Sequence, residues 1–169
     1  MRDNIALSVQ ARSGTSLSFW RPVAAETALA READALLERL ALAERADALA
    51  SELSHGEQRV LEIGLALATR PRVLLLDEPM AGVGPDESAR LVTLIDSLRA
   101  ECAILLVEHD MEAVFQLADR ITVLVNGAVI ASGKPDAIRH DSRVVAAYLG
   151  DELDSHDQTD SAADGARHG

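Results

Sequence analysis

The sequence predicts an α/β fold in which a parallel sheet is joined to a helical subdomain. Beyond Pro71, short apolar runs alternate with segments of helical periodicity, as in strands and helices that follow one another along a parallel sheet. Asn126-Gly127 follows the last of these alternating strands and is a hairpin signal, so the sheet ends in an antiparallel hairpin strand. Residues 22–50 are instead dense in Ala, Leu, Glu and Arg, which favour helices.

The composition narrows the class of protein. A length of 169 residues fits one core with an appendage, and 48% apolar with 26% charged residues is the balance of a globular chain. Aromatic residues make up only 2% and the net charge is −12, so nucleic acid is excluded as a partner. No apolar run is long enough to span a bilayer and no signal peptide opens the chain, so we expect a cytoplasmic protein.

The first 70 residues are predicted to be helical. A short helix beginning near Asn4 is followed by a loop over residues 12–16, and a long helix with a short second one is expected between Pro22 and about Ala50. Ser54-His55-Gly56-Glu57 has the form of a capping box. A further helix should therefore start at Ser54 and end before Pro71.

The remaining elements alternate. Val73 to Leu76 is a continuous apolar run, which predicts a strand buried on both faces of a parallel sheet. The tail 151–169 carries six acidic residues against one Arg and is expected to be disordered. The other predicted elements are a helix from Pro85, a strand Ala103 to Val107, a helix from Asp110, a strand Ile121 to Val125, a hairpin strand Ala128 to Ala131, and short helices opened by Pro135 and Asp141, the last stopped by Gly150.

Asp77 and Glu78 are the first candidates for chemistry. They follow a buried strand, and the carboxyl ends of strands are where open α/β sheets hold their ligands. In nucleotide hydrolases such an Asp holds Mg²⁺, directly or through water, and a following Glu can take a proton from an attacking water. The alternative is a strand that simply ends in two solvated acids before Pro79.

Three motifs together give a more specific reading. Leu53-Ser54-His55-Gly56-Glu57-Gln58, Leu74-Leu75-Leu76-Asp77-Glu78-Pro79 and Val107-Glu108-His109-Asp110 occur in this order, with Ser54 23 residues before Asp77 and His109 32 residues after it. They resemble the signature motif, the Walker B motif and the switch-histidine loop of ATP-binding cassette (ABC) ATPases. The signature region, Asp77 to Gly82 and the ending 146–150 look most like the subunits that energise branched-chain amino-acid importers. The resemblance covers roughly residues 1–150 and implies a partial P-loop NTPase core.

The resemblance assigns roles to the residues of these motifs. It implies that Asp77 contacts Mg²⁺, that Glu78 is the catalytic base, and that His109 acts on a phosphate oxygen. A lone His in this place could otherwise simply cap the next helix. Ser54, His55, Gly56 and Glu57 would bind the terminal phosphate of ATP held by the opposite subunit of a head-to-tail dimer, and Gly82 and Gly84 would belong to the D-loop between the two sites.

The sequence also departs from the family pattern. Gly84 stands where Asp is usual in the D-loop, which removes a side chain that would couple the two sites. Gly-x-x-x-x-Gly-Lys-Ser/Thr, the loop whose amides cradle the phosphates, does not occur in these 169 residues. The only lysine, Lys134, follows a glycine pair with the wrong spacing and precedes Pro135. By resemblance the nucleotide-cradling half is missing, so we expect a truncated chain that is inactive alone. A sheet without its N-terminal strands should expose an edge and an apolar face, so we also expect the chain to associate.

The predicted organisation has three parts: a helical subdomain 1–70 that ends in the signature helix, the C-terminal part of the ATPase core over 71–150, and the tail 151–169. The predicted function is an ATP-binding and ATP-hydrolysing subunit of an ABC transporter that energises branched-chain amino-acid uptake, with ATP and Mg²⁺ as cofactors. Its partners would be a second ATPase subunit and membrane permease subunits, which would hold it at the inner face of the plasma membrane.

Two other functions remain open. The chain could be a noncatalytic module that docks on a permease through residues 1–50, with Phe19 and Trp20 as anchors. It could also be an ABC ATPase of another process, such as lipid export. In these transporters other subunits choose the substrate, so the sequence does not name it.

Overall fold

The computed structural model describes residues 1–12 and 23–147. The chain divides after Ala113 into two compact units, 1–113 and 114–169. The predicted loop over 13–16, the anchors Phe19 and Trp20, the stop at Gly150 and the tail 151–169 lie outside the described residues. None of the helices in the described ranges is long and apolar enough to cross a membrane.

The first unit begins with three helices, α1 (Arg2–Arg12), α2 (Val23–Arg39) and α3 (His55–Ala68). Helix α1 begins two residues before the predicted start and packs on both α2 and α3. Two single-turn 3-10 helices, Ala43–Arg45 and Ala50–Glu52, replace the short second helix expected before Ala50.

Apolar side chains of all three helices form the core of this helical part. Ile5, Val9 and Leu37 are essentially inaccessible to solvent. Leu40 packs directly on the backbone of Gly64, where a Cβ would overlap its methyl group. The small residue on α3 therefore sets how closely α2 and α3 approach each other.

A two-stranded parallel sheet follows, formed by β1 (Val73–Asp77) and β2 (Ala103–Val107) and connected by α4 (Pro85–Leu98). The strands pair in register from Val73 opposite Ala103 to Asp77 opposite Val107. The parallel pairing confirms the predicted α/β architecture. Pro85 lies in the first turn of α4, as its fixed φ favours, and Leu91, Val92, Ile95 and Leu98 of this helix are buried.

The structure confirms that the sheet exposes an apolar face, as expected for strands of a doubly covered sheet whose N-terminal strands are missing. Leu74 and Leu76 are buried, but the other three positions of β1 and three of the five positions of β2 are exposed. Val73, Leu75, Leu105 and Val107 are between 53% and 69% exposed. A continuous apolar run is typical of a strand that has other elements packed on both of its faces, and in the described residues only one face of this sheet is covered. We call these four side chains the open sheet face.

The second unit contains an antiparallel hairpin. Strands β3 (Ile121–Val125) and β4 (Ala128–Gly133) are joined by Asn126-Gly127, both with positive φ, which is the geometry that an Asn-Gly turn favours. The predicted hairpin is confirmed, and β4 is two residues longer than expected. In the described residues β3 and β4 form a two-stranded sheet.

Short helices complete this unit. Helix α5 (Met111–Leu117) crosses the boundary between the units, and α6 (Pro135–Arg139) begins at the predicted proline. Residues 142–147 are also helical. Ile121, Ala131, Ile138 and Val144 form the core of the second unit, and the Arg139 guanidinium lies 4.5 Å from the centre of the Phe115 ring.

Candidate functional site

The carboxyl ends of β1 and β2 bring the predicted catalytic residues together. Asp77 is the last residue of β1 and pairs in register with Val107, the last residue of β2. Because the strands are parallel, the residues that follow them, Glu78 and Glu108-His109, leave the sheet at the same edge. Residues that are 32 positions apart in the sequence, Asp77 and His109, therefore line one site.

Glu78 and His109 face each other across this edge. His109 Nδ1 lies 3.6 Å from Glu78 Oε1, an ion-pair distance just beyond a hydrogen bond. The His109 side chain is 74% exposed and the Glu78 side chain is about half exposed, so both can reach a bound substrate. The two side chains are therefore close together and open to solvent at the same edge.

The backbone of Glu78 is held in an unusual conformation. Its φ is +45°, a value that costs a residue with a Cβ about 1–2 kcal/mol. The Glu78 N–H donates to the Val107 carbonyl oxygen at 2.8 Å, which ties the turn after β1 to the end of β2. Strained backbone of this kind persists only where its surroundings fix it, and it is frequent at functional sites.

Glu108 lies at the same edge, and its sequence motif predicts no role for its side chain. Its side chain is fully buried, whereas the neighbouring His109 is exposed. One carboxylate oxygen accepts a hydrogen bond from the Met80 N–H at 2.9 Å, and the other accepts from the N–H groups of His109 at 2.9 Å and Asp110 at 3.3 Å. No local signal marks Glu108, because its partner Met80 is 28 residues away.

The predicted D-loop connects this edge to α4. Gly82 has φ of +74° and is exposed, a conformation that glycine adopts without strain. Gly84 is the N-cap residue of α4, and its carbonyl oxygen accepts from the Ser88 N–H. Since Gly84 has no side chain, the usual capping carboxylate is absent there, and Asp86 and Glu87 supply the negative charge of the first turn.

The signature helix α3 has the predicted capping box. The Glu57 N–H donates to Ser54 Oγ at 3.2 Å, and the Ser54 N–H donates to Glu57 Oε2 at 2.9 Å. The hydrogen bond from the Ser54 amide, and then the Arg45 guanidinium at 3.3 Å, hold the pKa of Glu57 below its usual value. Gly56 is buried in the first turn, and His55 is exposed beside it.

A carboxylate of the same chain occupies the N-terminus of α3. Ser54 Oγ donates to Glu87 Oε1 at 3.0 Å. The Glu87 carboxylate also lies directly on Gly56, since a Cβ there would be 2.7 and 2.8 Å from its two oxygens. A helix N-terminus attracts anions, and in this structure the anion is a side chain from α4.

The predicted site residues thus form two groups. Asp77, Glu78 and His109 lie at the sheet edge, and Ser54, His55, Gly56 and Glu57 lie at the start of α3. In the described part of the chain, no hydrogen bond or ion pair joins side chains of the first group to side chains of the second. Glu87 provides the connection from α3 to α4, which begins at Gly84 of the D-loop.

The residues present can contribute to a Mg²⁺ site but do not form a complete one. Asp77 is exposed at the end of β1, and Mg²⁺ in nucleotide enzymes binds one or two carboxylates together with phosphates and waters. Within the described ranges no three His, Cys, Asp or Glu residues are grouped as metal ligands. Asp77 therefore fits the single protein carboxylate of a site whose other ligands come with the nucleotide.

Lys134 does not form a phosphate loop. The residues between Gly127 and Gly133 are strand β4, and Lys134 is the N-cap residue of α6, in the second unit. A phosphate loop instead needs a stretch of free backbone amides that curves around an anion. The near-match in the sequence is accidental, as predicted.

Comparison with known proteins decides the family. The model of the ABC transporter family matches residues 2–81, and the model of the branched-chain amino acid ATP-binding cassette transporter matches residues 128–154. The chain belongs to the ABC transporter family. The ABC fold is also found by structure: an ATP-binding cassette of an ABC transporter in its ADP conformation superposes with a TM-score of 0.65 and 34% identity, over 72% of this chain and 50% of that one.

Two curated ABC proteins with different printed functions are similar to this chain. The high-affinity branched-chain amino acid transport ATP-binding protein BraF of Pseudomonas aeruginosa is 46% identical over 117 residues, which are 68% of this chain and 46% of BraF. The lipopolysaccharide export system ATP-binding protein LptB of Haemophilus influenzae is 34% identical over 123 residues, 72% of this chain and 51% of LptB. The chain spans about half the length of the curated ABC proteins that it matches.

Proposed function

We propose that this chain supplies the Walker B, switch-histidine and signature elements of an ABC ATPase that energises branched-chain amino-acid uptake. The observation that carries the proposal is the pairing of Glu78 with His109 at 3.6 Å, at the carboxyl edge of adjacent parallel strands. The capped helix α3, with its buried Gly56, supplies the second half-site. Neither an acidic pair nor a capped helix by itself would indicate this function.

Glu78 would act as general base. Its carboxylate is exposed at the strand end, where it can accept a proton from a water that attacks the terminal phosphate of ATP. His109 would donate a hydrogen bond to an oxygen of that phosphate as negative charge develops there. The 3.6 Å separation allows the carboxylate to orient the imidazole at the same time.

Asp77 would contact the Mg²⁺ that accompanies ATP. Mg²⁺ neutralises charge on the phosphates when it is bound. The side chain of Asp77 precedes Glu78 directly, so the fixed turn after β1 sets both carboxylates at once. Two acids in sequence can thus serve two different roles.

The start of α3 would bind the terminal phosphate of ATP held by a second ATPase subunit. Ser54 Oγ and the amides near Gly56 are donors at the positive end of the helix dipole. His55 and Glu57 flank them, and Gly82 and Gly84 of the D-loop would lie between the two nucleotide sites. An incoming phosphate must displace the Glu87 carboxylate from Gly56.

The division of labour in the chain follows from these assignments. Residues 1–70 would form the helical subdomain that presents the signature helix, and residues 71–150 the catalytic part of the core. The open sheet face and the phosphate-cradling loop would be completed by a polypeptide that corresponds to the part of BraF this chain does not match. Hydrolysis by the 169 residues alone is therefore not expected.

The branched-chain assignment rests on two observations. Identity to BraF is 46%, against 34% to LptB, and a branched-chain cassette model matches residues 128–154. Permease subunits of such an importer would be the membrane partners and would hold this chain at the inner face of the plasma membrane. Lipid export is the second candidate, because LptB matches a similar share of the chain.

Complementation tests the proposal. The chain is co-expressed with a complementing segment, namely the part of BraF that this chain does not match, to which the family resemblance assigns the phosphate loop, and MgATP hydrolysis is measured on the purified pair. We expect hydrolysis in the pair and none in either part. Glu78→Gln should lower kcat by at least about a hundredfold while MgATP still binds, because the base is removed and the cradle is kept.

Glu112→Gln is the matched control, since Glu112 is an exposed glutamate on α5 that takes no part in the proposed site. A pair that assembles and binds MgATP but never hydrolyses it would favour the noncatalytic docking module. Full activity in Glu78→Gln would remove Glu78 from the role of base. Stimulation by branched-chain permeases, and not by lipid-export permeases, would separate the two transport candidates.

A further inference from the structure

The side chain of Glu108 contacts the backbone of both loops of the candidate catalytic edge. Its buried carboxylate accepts from the Met80 N–H, two residues after Glu78, and from the N–H groups of His109 and Asp110 in the loop after β2. The two oxygens are divided between the loops, Oε1 toward the β1 side and Oε2 toward the β2 side. The carboxylate therefore fixes the distance between the two loops.

The burial of this group demands such partners. A carboxylate taken out of water is strongly unfavourable unless hydrogen bonds replace its hydration, and here three amide N–H groups do so. A residue without a carboxylate would leave these three amide N–H groups without this acceptor. Removing the carboxylate from water is therefore unfavourable, but its hydrogen bonds hold the two loops in place.

The loop on the β1 side needs this support. Glu78 has φ of +45°, and two hydrogen bonds flank it: its own N–H donates to Val107, and the Met80 N–H donates to Glu108. If the second bond is lost, the turn can relax to an unstrained φ, which rotates the Glu78 carboxylate away from His109. On the β2 side, the hydrogen bond that the His109 N–H donates to Glu108 fixes the backbone from which the imidazole extends.

We infer that Glu108 is a positioning residue, which sets the Glu78 base opposite His109 by tying the Walker B turn to the switch-histidine loop. The inference deepens the proposed function and rests on it for the catalytic consequence. The tie itself is a property of the described structure.

Hydrogen exchange tests the tie without catalysis. Exchange of single amides is measured by mass spectrometry on the 169-residue chain and, in parallel, on its complex with the complementing segment. In Glu108→Gln the amide group has one acceptor and presents a donor to the other loop, so one loop must be released. We expect exchange at Met80, or at His109 and Asp110, to rise at least about tenfold, with the β1 and β2 amides unchanged.

Three further variants control this measurement. Glu108→Ala should release both loops, and Glu108→Asp, which keeps the charge but is one methylene shorter, should recover protection on one side only. Glu112→Gln, on exposed α5, should leave all three amides protected. Unchanged exchange at Met80, His109 and Asp110 in Glu108→Gln, in either sample, overturns the inference.

Kinetics on the complemented pair tests the consequence. Misplacing the base should lower kcat by about tenfold in Glu108→Gln and change KM for MgATP less than about twofold, which loss of fold would not do. Raised exchange with an unchanged kcat overturns the positioning role. If the wild-type pair binds MgATP without hydrolysing it, the proposed function fails, and the exchange result still decides whether Glu108 ties the loops.

Discussion

Helices α1, α2 and α3 bury their apolar side chains against one another, whereas the β1–β2 sheet leaves one apolar face in solvent. Leu37 of α2 is 1% exposed, and Leu75 of β1 is 69% exposed, although both are leucines within apolar segments of their elements. A helix satisfies its backbone within its own segment and needs cover along one stripe only. A strand of a parallel sheet needs neighbours at its edges and cover on both faces.

The difference is one of cover among the described residues. The helices α1, α2 and α3 cover one another's apolar side chains, whereas the open sheet face is uncovered. The candidate catalytic edge lies at the end of that sheet. We therefore expect the two regions to respond differently to substitution.

The largest expected effect compares one leucine from each region. Leu37→Ala should lower the free energy of unfolding by about 2–5 kcal/mol, because it leaves a cavity among three packed helices. Leu75→Ala should change it by less than about 0.5 kcal/mol in the chain alone, because the side chain already contacts water. Denaturant unfolding of both variants measures this, and equal losses would show that the open sheet face is buried in solution.

The second effect concerns what the open sheet face does at high concentration. Exposed apolar strands pair with other copies, so we expect the chain to self-associate, and Leu75→Thr with Leu105→Thr to weaken association at least about tenfold. Threonine keeps the strand propensity while removing apolar area. Sedimentation velocity measures the change; a wild-type chain that is monomeric with a cooperative thermal transition would contradict it.

These two regions also differ in how far sequence predicts them. The capping box of Ser54 and Glu57 is local, three residues apart, and was predicted in full. The strands were predicted from their apolar runs, and the exposed apolar face was predicted from the missing N-terminal strands. The runs did not tell that Leu75 and not Leu74 faces solvent, since burial depends on what packs against a strand. The contacts of Glu108 and Glu87 join residues 28 and 33 positions apart, and no local pattern indicates them.

The third effect tests the self-sufficiency of the signature helix. Ser54→Ala removes the hydroxyl that accepts from Glu57 and donates to Glu87, and it should cost about 1 kcal/mol of stability. Ser51→Ala, an exposed serine in the preceding turn, is the control and should stay within about 0.5 kcal/mol. Thermal or denaturant unfolding distinguishes the two, and equal values would mean that the cap contributes nothing.

The fourth effect is a pH dependence of the same cap. The folded chain lowers the pKa of Glu57 from the ordinary 4.5, first through the Ser54 amide and then through Arg45. The charged carboxylate therefore stabilises the fold above about pH 4.5, and this contribution disappears as the pH falls through the lower, folded pKa. Unfolding measured from pH 6 down to pH 3 should show wild type losing up to about 1 kcal/mol relative to Glu57→Gln. If the free energy of unfolding of wild type and Glu57→Gln changed equally with pH, the lowered pKa of Glu57 would be contradicted.

The smallest expected effect has opposite signs in the free chain and in the assembled ATPase. Glu87 places its carboxylate on Gly56, at the positive end of α3, so Glu87→Gln should destabilise the free chain by about 0.3–1 kcal/mol. In the complemented pair carrying Glu78→Gln, which blocks hydrolysis, the same substitution removes a charge that competes with the phosphate. MgATP-driven dimerisation should then be tighter by about two- to fivefold.

Asp86→Asn controls for charge, because Asp86 is exposed in the same first turn of α4 without a hydrogen bond or ion pair to α3 among the described residues. It should leave dimerisation unchanged. Light scattering across an MgATP titration measures both variants. Weaker dimerisation in Glu87→Gln would mean that the carboxylate orients Ser54 for the phosphate and does not compete with it, and the signature site would then need Glu87 as a permanent part.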